Sequence, residues 1–199
     1  MEKAPIISQK WFESLFSSIT ALYKGEFKAR SGSLFDKTLD ELLVTNFTLW
    51  QYEDNARRKD LPDKDIAQLK RNIDKNNQKR HNLIDALDEV LQEDIETKLK
   101  SIDQNLVMNS ESSGSVLDRL SILALRIYHL EKETERRDAD KKHIERCATM
   151  LKEVKERSRD LLKCLDELLD DYYSGRKRLK SCKQHKLYND PDLNPSLRK

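Results

Sequence analysis

Glycine and proline are scarce in this sequence, 4 of each among 199 residues, and that scarcity argues against β-rich and disordered chains, which need both for their turns and linkers. Aromatic residues make up only 7%. No apolar run approaches the roughly 20 residues of a membrane-spanning helix. The opening MEKAPIISQKWF lacks the basic start and long apolar stretch of a secretory signal, so the expected home is the cytoplasm. Cys147, Cys164 and Cys182 are odd in number and show no CxxC spacing, which points to reduced thiols rather than a disulfide framework or a zinc knuckle. Charge of one sign is also missing: 38 Lys and Arg balance 36 Asp and Glu, so the total gives nucleic-acid binding no support.

What remains is 37% hydrophobic and 37% charged residues, interspersed at helical spacing. That is the composition of one all-α domain over 1–199 with long, solvated helices. A first helix runs from a Ser8 cap to about Lys24, its apolar face formed by Trp11, Phe12, Leu15, Phe16, Ile19, Leu22 and Tyr23, and the N-terminal segment ends near residue 30. A second spans about Leu34 to Arg58. LPD at 61–63 marks a turn, and a third spans about Lys64 to Asp94, with IETKLKSI as a continuation. The stretch MNSESSGS closes a connection over 95–115. Helices over about Val116 to Arg137 and Asp140 to Tyr173 follow, and a basic tail occupies 174–199.

An internal similarity organises these elements. A shift of 78 residues lays LDELLVTNFTLWQYE (39–53) on LDRLSILALRIYHLE (117–131) without a gap. The register continues through Arg58 on Arg136, Asp60 on Asp138 and LIDALDEVL (83–91) on LLKCLDELL (161–169). Leucine-rich helices always share some leucines; the shared Asp40/Asp118 and Glu53/Glu131 are harder to explain that way. The pattern predicts two duplicated hairpins, 34–94 and 116–173, packed with pseudo-two-fold symmetry into a four-helix bundle, with the N-terminal helix against it and an irregular C-terminal tail.

Polar residues intrude on the buried faces. On the helical wheel Glu131 falls on the central apolar line of Leu120, Ala124 and Ile127, and Glu53 takes the same place in the first copy. Asp118 and His129 lie at the rim, while Arg119, Arg126 and Glu133 form an opposite, solvated strip. Carboxylates withdrawn from water must be paired or protonated. Glu53 and Glu131 meeting across a pseudo-axis would share a metal, a proton or a basic ligand; alternatively each sits near its helix end, where Glu53 pairs with Arg57 at i+4. Asp40 and Asp118 near helix starts read as caps or as dipole partners. Asn46 is expected to face Asn76 across the first hairpin, with Arg80 intruding on the same seam. Glu53, Glu131, Asp118 and His129 are thus the catalytic candidates, and no metal-ligand set is assigned.

Other chemistries find less. A carboxylate-bridged di-iron bundle requires a repeated Glu-x-x-His, which His81, His129, His143 and His185 do not supply. The clusters Asp88, Glu89, Glu93, Asp94 and Asp166, Glu167, Asp170, Asp171 would suit Mg²⁺, although solvated acidic faces are commoner. No phosphate loop, HExxH or nucleophile elbow occurs. The tail segment RKRLKSCKQHK (176–186) reads as a frayed basic helix end, or as a docking segment for an anionic partner.

The stretches TLWQYEDNAR (48–57), GSVLDRLSILALRIYHL (114–130) and LYNDPDLNPSL (187–197) together resemble the bacterial family catalogued as domain of unknown function 4254. The resemblance implies a cytoplasmic bacterial helical protein and an association with surface-glycan assembly, but no reaction. It marks Trp50, Glu53, Asp54, Asp118, Arg119, His129, Asn189, Asp190 and Pro191 as motif members, of which Trp50, Asp54, Arg119, Asn189 and Asp190 are the binding candidates. The leading expectation is a non-enzymatic accessory or scaffold protein with a protein partner or self-association. The alternative is a small enzyme acting on a phosphorylated or nucleotide-linked molecule through Glu53 and Glu131, with or without Mg²⁺, while Arg119 or the tail holds the anion.

Overall fold

The structure, a computed structural model, describes residues 9–180 and 192–198. Its helices are α1 (Gln9–Lys24), α2 (Leu34–Ala56), α3 (Asp63–Leu99), α4 (Ser113–Thr134) and α5 (Lys141–Tyr173), followed by a 3-10 turn at Pro195–Leu197. The described residues form an all-α bundle, and none of their helices is long and apolar enough to cross a membrane.

Local chemistry sets the helix ends. Ser33 opens α2 with a reciprocal box: its hydroxyl accepts from the Asp36 amide at 3.2 Å while the Asp36 carboxylate accepts from the Ser33 amide at 3.1 Å. The Ser112 hydroxyl and the Asp140 carboxylate accept amides in the first turns of α4 and α5. Because Ser112 is the cap, α4 begins three residues before the expected Val116; α3 meanwhile continues past Asp94 to Leu99, so the connection shortens to 100–112. Gly175 ends α5 at φ +69°, a left-handed conformation that costs side-chain-bearing residues, and Arg176 then donates its amide back to Asp171 O at 2.8 Å.

α2 packs most extensively on α3, and α4 on α5. α4 is the hub: it touches all four other helices, and Leu117, Leu120, Ala124, Leu125 and Ile127 vanish into a core shared with Leu42, Leu87 and Leu165. α1 lies on α4 and α2, burying Phe12, Leu15 and Ile19. The helix bounds follow the 78-residue register closely. The flanking residues Pro62 and Asp140 precede α3 and α5, and Arg57 and Glu135 close α2 and α4. The packing is not two-fold symmetric, however. α3 lies against α4, whereas α5 makes no comparable contact with α2, because α1 takes up apolar surface of α2 and α4 without a counterpart in the other half.

The first turn of α4 is clamped to α3. A Cβ on Gly114 would stand 2.5 Å from the Ile84 carbonyl oxygen, and the buried Asp88 carboxylate accepts the Gly114 amide at 2.7 Å. Beyond α5 the basic segment is tied down rather than frayed over its described part. Arg176 pairs with Asp170 and Asp171, Lys177 with Asp171 at 2.8 Å, and the Arg178 amide donates to Val107 O at 3.1 Å.

Candidate functional site

The two glutamates expected to meet do not share a partner. Glu53 pairs at 3.0 Å with Arg57 on its own helix, and Glu131 at 2.6 Å with Lys155 of α5. Glu131 stands in a cleft of about 400 Å³ between α1, α4 and α5, whose lining includes Phe12, Phe16, Lys155 and Ser158 but not Glu53. The pairing at i+4 foreseen for Glu53 is what forms.

Asp118 is neither a cap nor at the rim. It lies in the second turn of α4, 8% exposed, and its carboxylate accepts from Asn46 Nδ2 at 2.8 Å; the same amide nitrogen is 2.6 Å from the Ser121 hydroxyl. Asn46 therefore reaches across from α2 to α4, not to Asn76, which donates to Asn72 O in its own helix at 2.9 Å. α4 offers Asn46 a carboxylate acceptor where α3 offers a neutral amide. Burial pushes the Asp118 carboxyl up, while the Asn46 hydrogen bond and the nearby Arg80 and His81 hold it down. Asp40, expected to cap, is also buried and is held by Arg30 through the Arg30 amide at 2.6 Å and Nε at 2.8 Å.

His129 belongs to a different cluster, assembled by α1, α2 and α4. Its ring stacks on Trp50 with centroids 4.5 Å apart and planes 10° apart. Tyr23 stacks on Tyr128 at 5.0 Å and meets Phe47 and His129 edge-on. The Tyr23 hydroxyl lies 2.8 Å from His129 Nε2 and receives the Gln51 amide N–H at 3.0 Å. Tyr23 keeps its one proton after accepting from Gln51, so it donates to His129 Nε2 in the Nδ1–H tautomer, whereas the Nε2–H tautomer donates to the second lone pair of the same oxygen. Burial lowers the His129 pKa, with Asp54 and Glu133 pulling the other way, and burial raises that of Tyr23. Both groups are therefore held in their neutral forms. Of the motif members, Trp50 and His129 touch and Asp54 acts electrostatically on His129; Arg119, on an earlier turn of α4, pairs with Glu111. Asn189, Asp190 and Pro191, with Cys182 and His185, lie outside the described residues.

Two arrangements escape a reading of the sequence. Tyr23 at the end of α1 is the keystone of the aromatic cluster, yet nothing in its local sequence marks it as more than an apolar-face residue. Cys147, His143 and Glu133 also come together, with the Cys147 sulfur 3.4 Å and the Glu133 carboxylate 2.8 Å from the same nitrogen, His143 Nε2. A nucleophile relay needs the thiol and the acid on opposite ring nitrogens, so this trio is not arranged as one.

Four carboxylates of the acidic clusters considered for Mg²⁺ are engaged within the protein itself. Asp94 holds Lys98 at 2.9 Å and the Tyr173 hydroxyl, Asp170 and Asp171 hold Arg176, and Asp88 holds Gly114. Among the described residues no group of three or more His, Cys, Asp or Glu side chains is placed to hold a metal ion. A further cavity of about 610 Å³ opens between the Ile84–Asp88 turn of α3, the connection, the end of α5 and the segment after it, walled by Asp85, Ser110, Glu111, Ser112, Tyr172 and Arg178.

No curated protein and no solved structure matches the chain. One family model does, over residues 36–181, a span that takes in α2 to α5 and leaves out α1 and LYNDPDLNPSL. The chain therefore belongs to the family described as "Protein of unknown function (DUF4254)".

Proposed function

We propose that the protein is a non-enzymatic accessory or scaffold protein that engages a protein partner through the face bearing Tyr23, Trp50, Gln51, Asp54 and His129. The observation that carries this reading is a division of labour. The carboxylates that acid–base or metal chemistry would use are neutralised separately, Glu53 by Arg57 and Glu131 by Lys155. The groups that do converge are aromatic faces and neutral hydrogen-bonding groups. Such groups, rigid and amphipathic, are what protein interfaces concentrate at their centres. The two hairpins are best read as descendants of one duplicated unit, supported by the common register of their helix ends and by Arg58–Asp60 and Arg136–Asp138, which form the same two-pronged pair at 2.6 and 2.7 Å.

The test is photo-crosslinking in the native host from position 54, on the face, and from position 152, on the outer side of α5. A single partner captured from 54 and not from 152, and lost on Tyr23→Ala, is the expected result. Turnover of a sugar phosphate or nucleotide sugar by the purified protein, abolished by Glu53→Gln or Glu131→Gln, would replace this reading with the enzyme alternative.

A further inference from the structure

Between α4 and α5 lies a hollow of about 160 Å³ whose floor is Ile122, Leu123 and Leu161 and whose walls are three arginines: Arg119 and Arg126 from α4 and Arg157 from α5. Arg119 has a carboxylate, Glu111. Among the described residues no carboxylate lies within ion-pair distance of Arg126 or Arg157, although Glu153 and Asp160 stand one turn to either side of Arg157 on its own helix. Three like charges around one apolar floor repel one another, and a bundle has no structural need of them.

The other half of the molecule shows what such a place requires. Under the 78-residue register Arg119 corresponds to Glu41, Arg157 to Lys79 and Arg126 to Thr48. In the first hairpin Glu41 and Lys79 form an ion pair across α2 and α3 at 2.7 Å. The same position in the second hairpin carries a charge reversal on one side and an added cation beside it. A self-neutralised crossing has become a forked one in which Arg119 alone of the three cations has a carboxylate partner.

We propose that Arg119, Arg126 and Arg157 form a binding site for a phosphoryl group, borne by a small phosphorylated molecule or by a lipid headgroup. Guanidinium forks match phosphate oxygens two at a time and, unlike lysine, stay charged at any working pH. The volume admits one or two phosphoryl groups and little more, and the apolar floor receives the first carbons of the body that carries them. The pairing of Glu111 with Arg119 gives the site a gate, since a dianion competes with a single carboxylate for that fork. This inference is independent of the proposed partner face, which lies on α1, α2 and the far end of α4.

The decisive variant is Arg119→Glu, which rebuilds in the second hairpin the acid–base crossing found in the first and so is expected to fold as well as the wild type. Titration with pyrophosphate at low ionic strength, followed by calorimetry, and flotation with phosphatidylglycerol or phosphatidylcholine vesicles form the two arms. Saturable pyrophosphate binding weakened at least about tenfold by Arg119→Glu and by Arg126→Ala/Arg157→Ala supports a soluble phosphoryl ligand. Flotation with phosphatidylglycerol alone, lost in the same variants, supports the lipid source. Absence of both in the wild type, or binding undiminished in Arg119→Glu, overturns the site.

Discussion

His129 is the residue on which solution conditions act most directly. In the unfolded chain it protonates near the ordinary histidine value of about 6.5; in the fold, burial against Trp50 and Tyr128 moves that protonation to lower pH. The stabilisation it brings is therefore complete above about pH 6.5 and is lost as pH falls through the folded value. Protonation would also make Nε2 a donor toward the Tyr23 oxygen, whichever tautomer the neutral ring holds. Asp88 and Asp118 act in the opposite sense: burial raises their values, so their contribution is largest in acid and fades as pH rises through the folded pKa. A difference measurement separates the two. The melting temperature of the wild type should fall more steeply between pH 7 and pH 5 than that of His129→Gln, which carries the amide found at the equivalent Gln51. Parallel curves would show that the ring is not the titrating group.

At the scale of the element, α4 explains why its sequence is so apolar. A helix that touches every other helix has almost no free face, and a wheel drawn for one buried side misplaces the residues on the others. That is how Asp118, assigned to the rim, comes to be buried against α2. It is also why Glu131, assigned to the central line, reaches a cleft and Lys155 instead. Helix existence and order were legible because caps and breakers act locally, as LPD and Asp140 do in the fold. The start of α4 and the end of α3 fall three and five residues from the expected Val116 and Asp94, because Ser112 caps α4 earlier and α3 runs on to Leu99. The facing of Asn46 was not legible, since Asp118 and Asn76 compete for it and only the packing of the hairpins decides between them. The clamp at the start of α4 yields a prediction. Gly114→Ala places a methyl group against the backbone of α3, which cannot rotate away as a side chain would. It should destabilise by about 1–3 kcal/mol in urea titration. An unchanged midpoint would mean that α4 can slide along α3 freely.

On the scale of the molecule, the family model covers α2 to α5, yet the aromatic cluster is completed by α1. Removal of residues 1–30 would uncover the surfaces of α2 and α4 on which Phe12, Leu15 and Ile19 pack. The truncated chain is expected to bind an apolar dye and to sediment as dimers or larger species, because uncovered apolar area of that kind seeks a partner. A monomeric, dye-silent product would show that the four longer helices suffice alone. The similarity between halves was the most informative signal in the sequence, since its register carries the shared helix bounds and aligns the residues of two Arg–Asp pairs that only the fold reveals. It was least informative about packing, because a fifth helix with no counterpart alters the environments of two others.

Tyr23 stands where that extra helix meets both halves, and its hydroxyl is claimed by Gln51 and His129, which occupy the same place in the two hairpins. A hydroxyl has a single hydrogen, so it can donate to one of these neighbours and not to both. A molecule assembled from interchangeable halves would present α1 with equivalent groups on its two sides, and α1 could dock in either of two senses. Glutamine on one side and histidine on the other differ in shape and in hydrogen-bonding capacity, and so give the docking a direction.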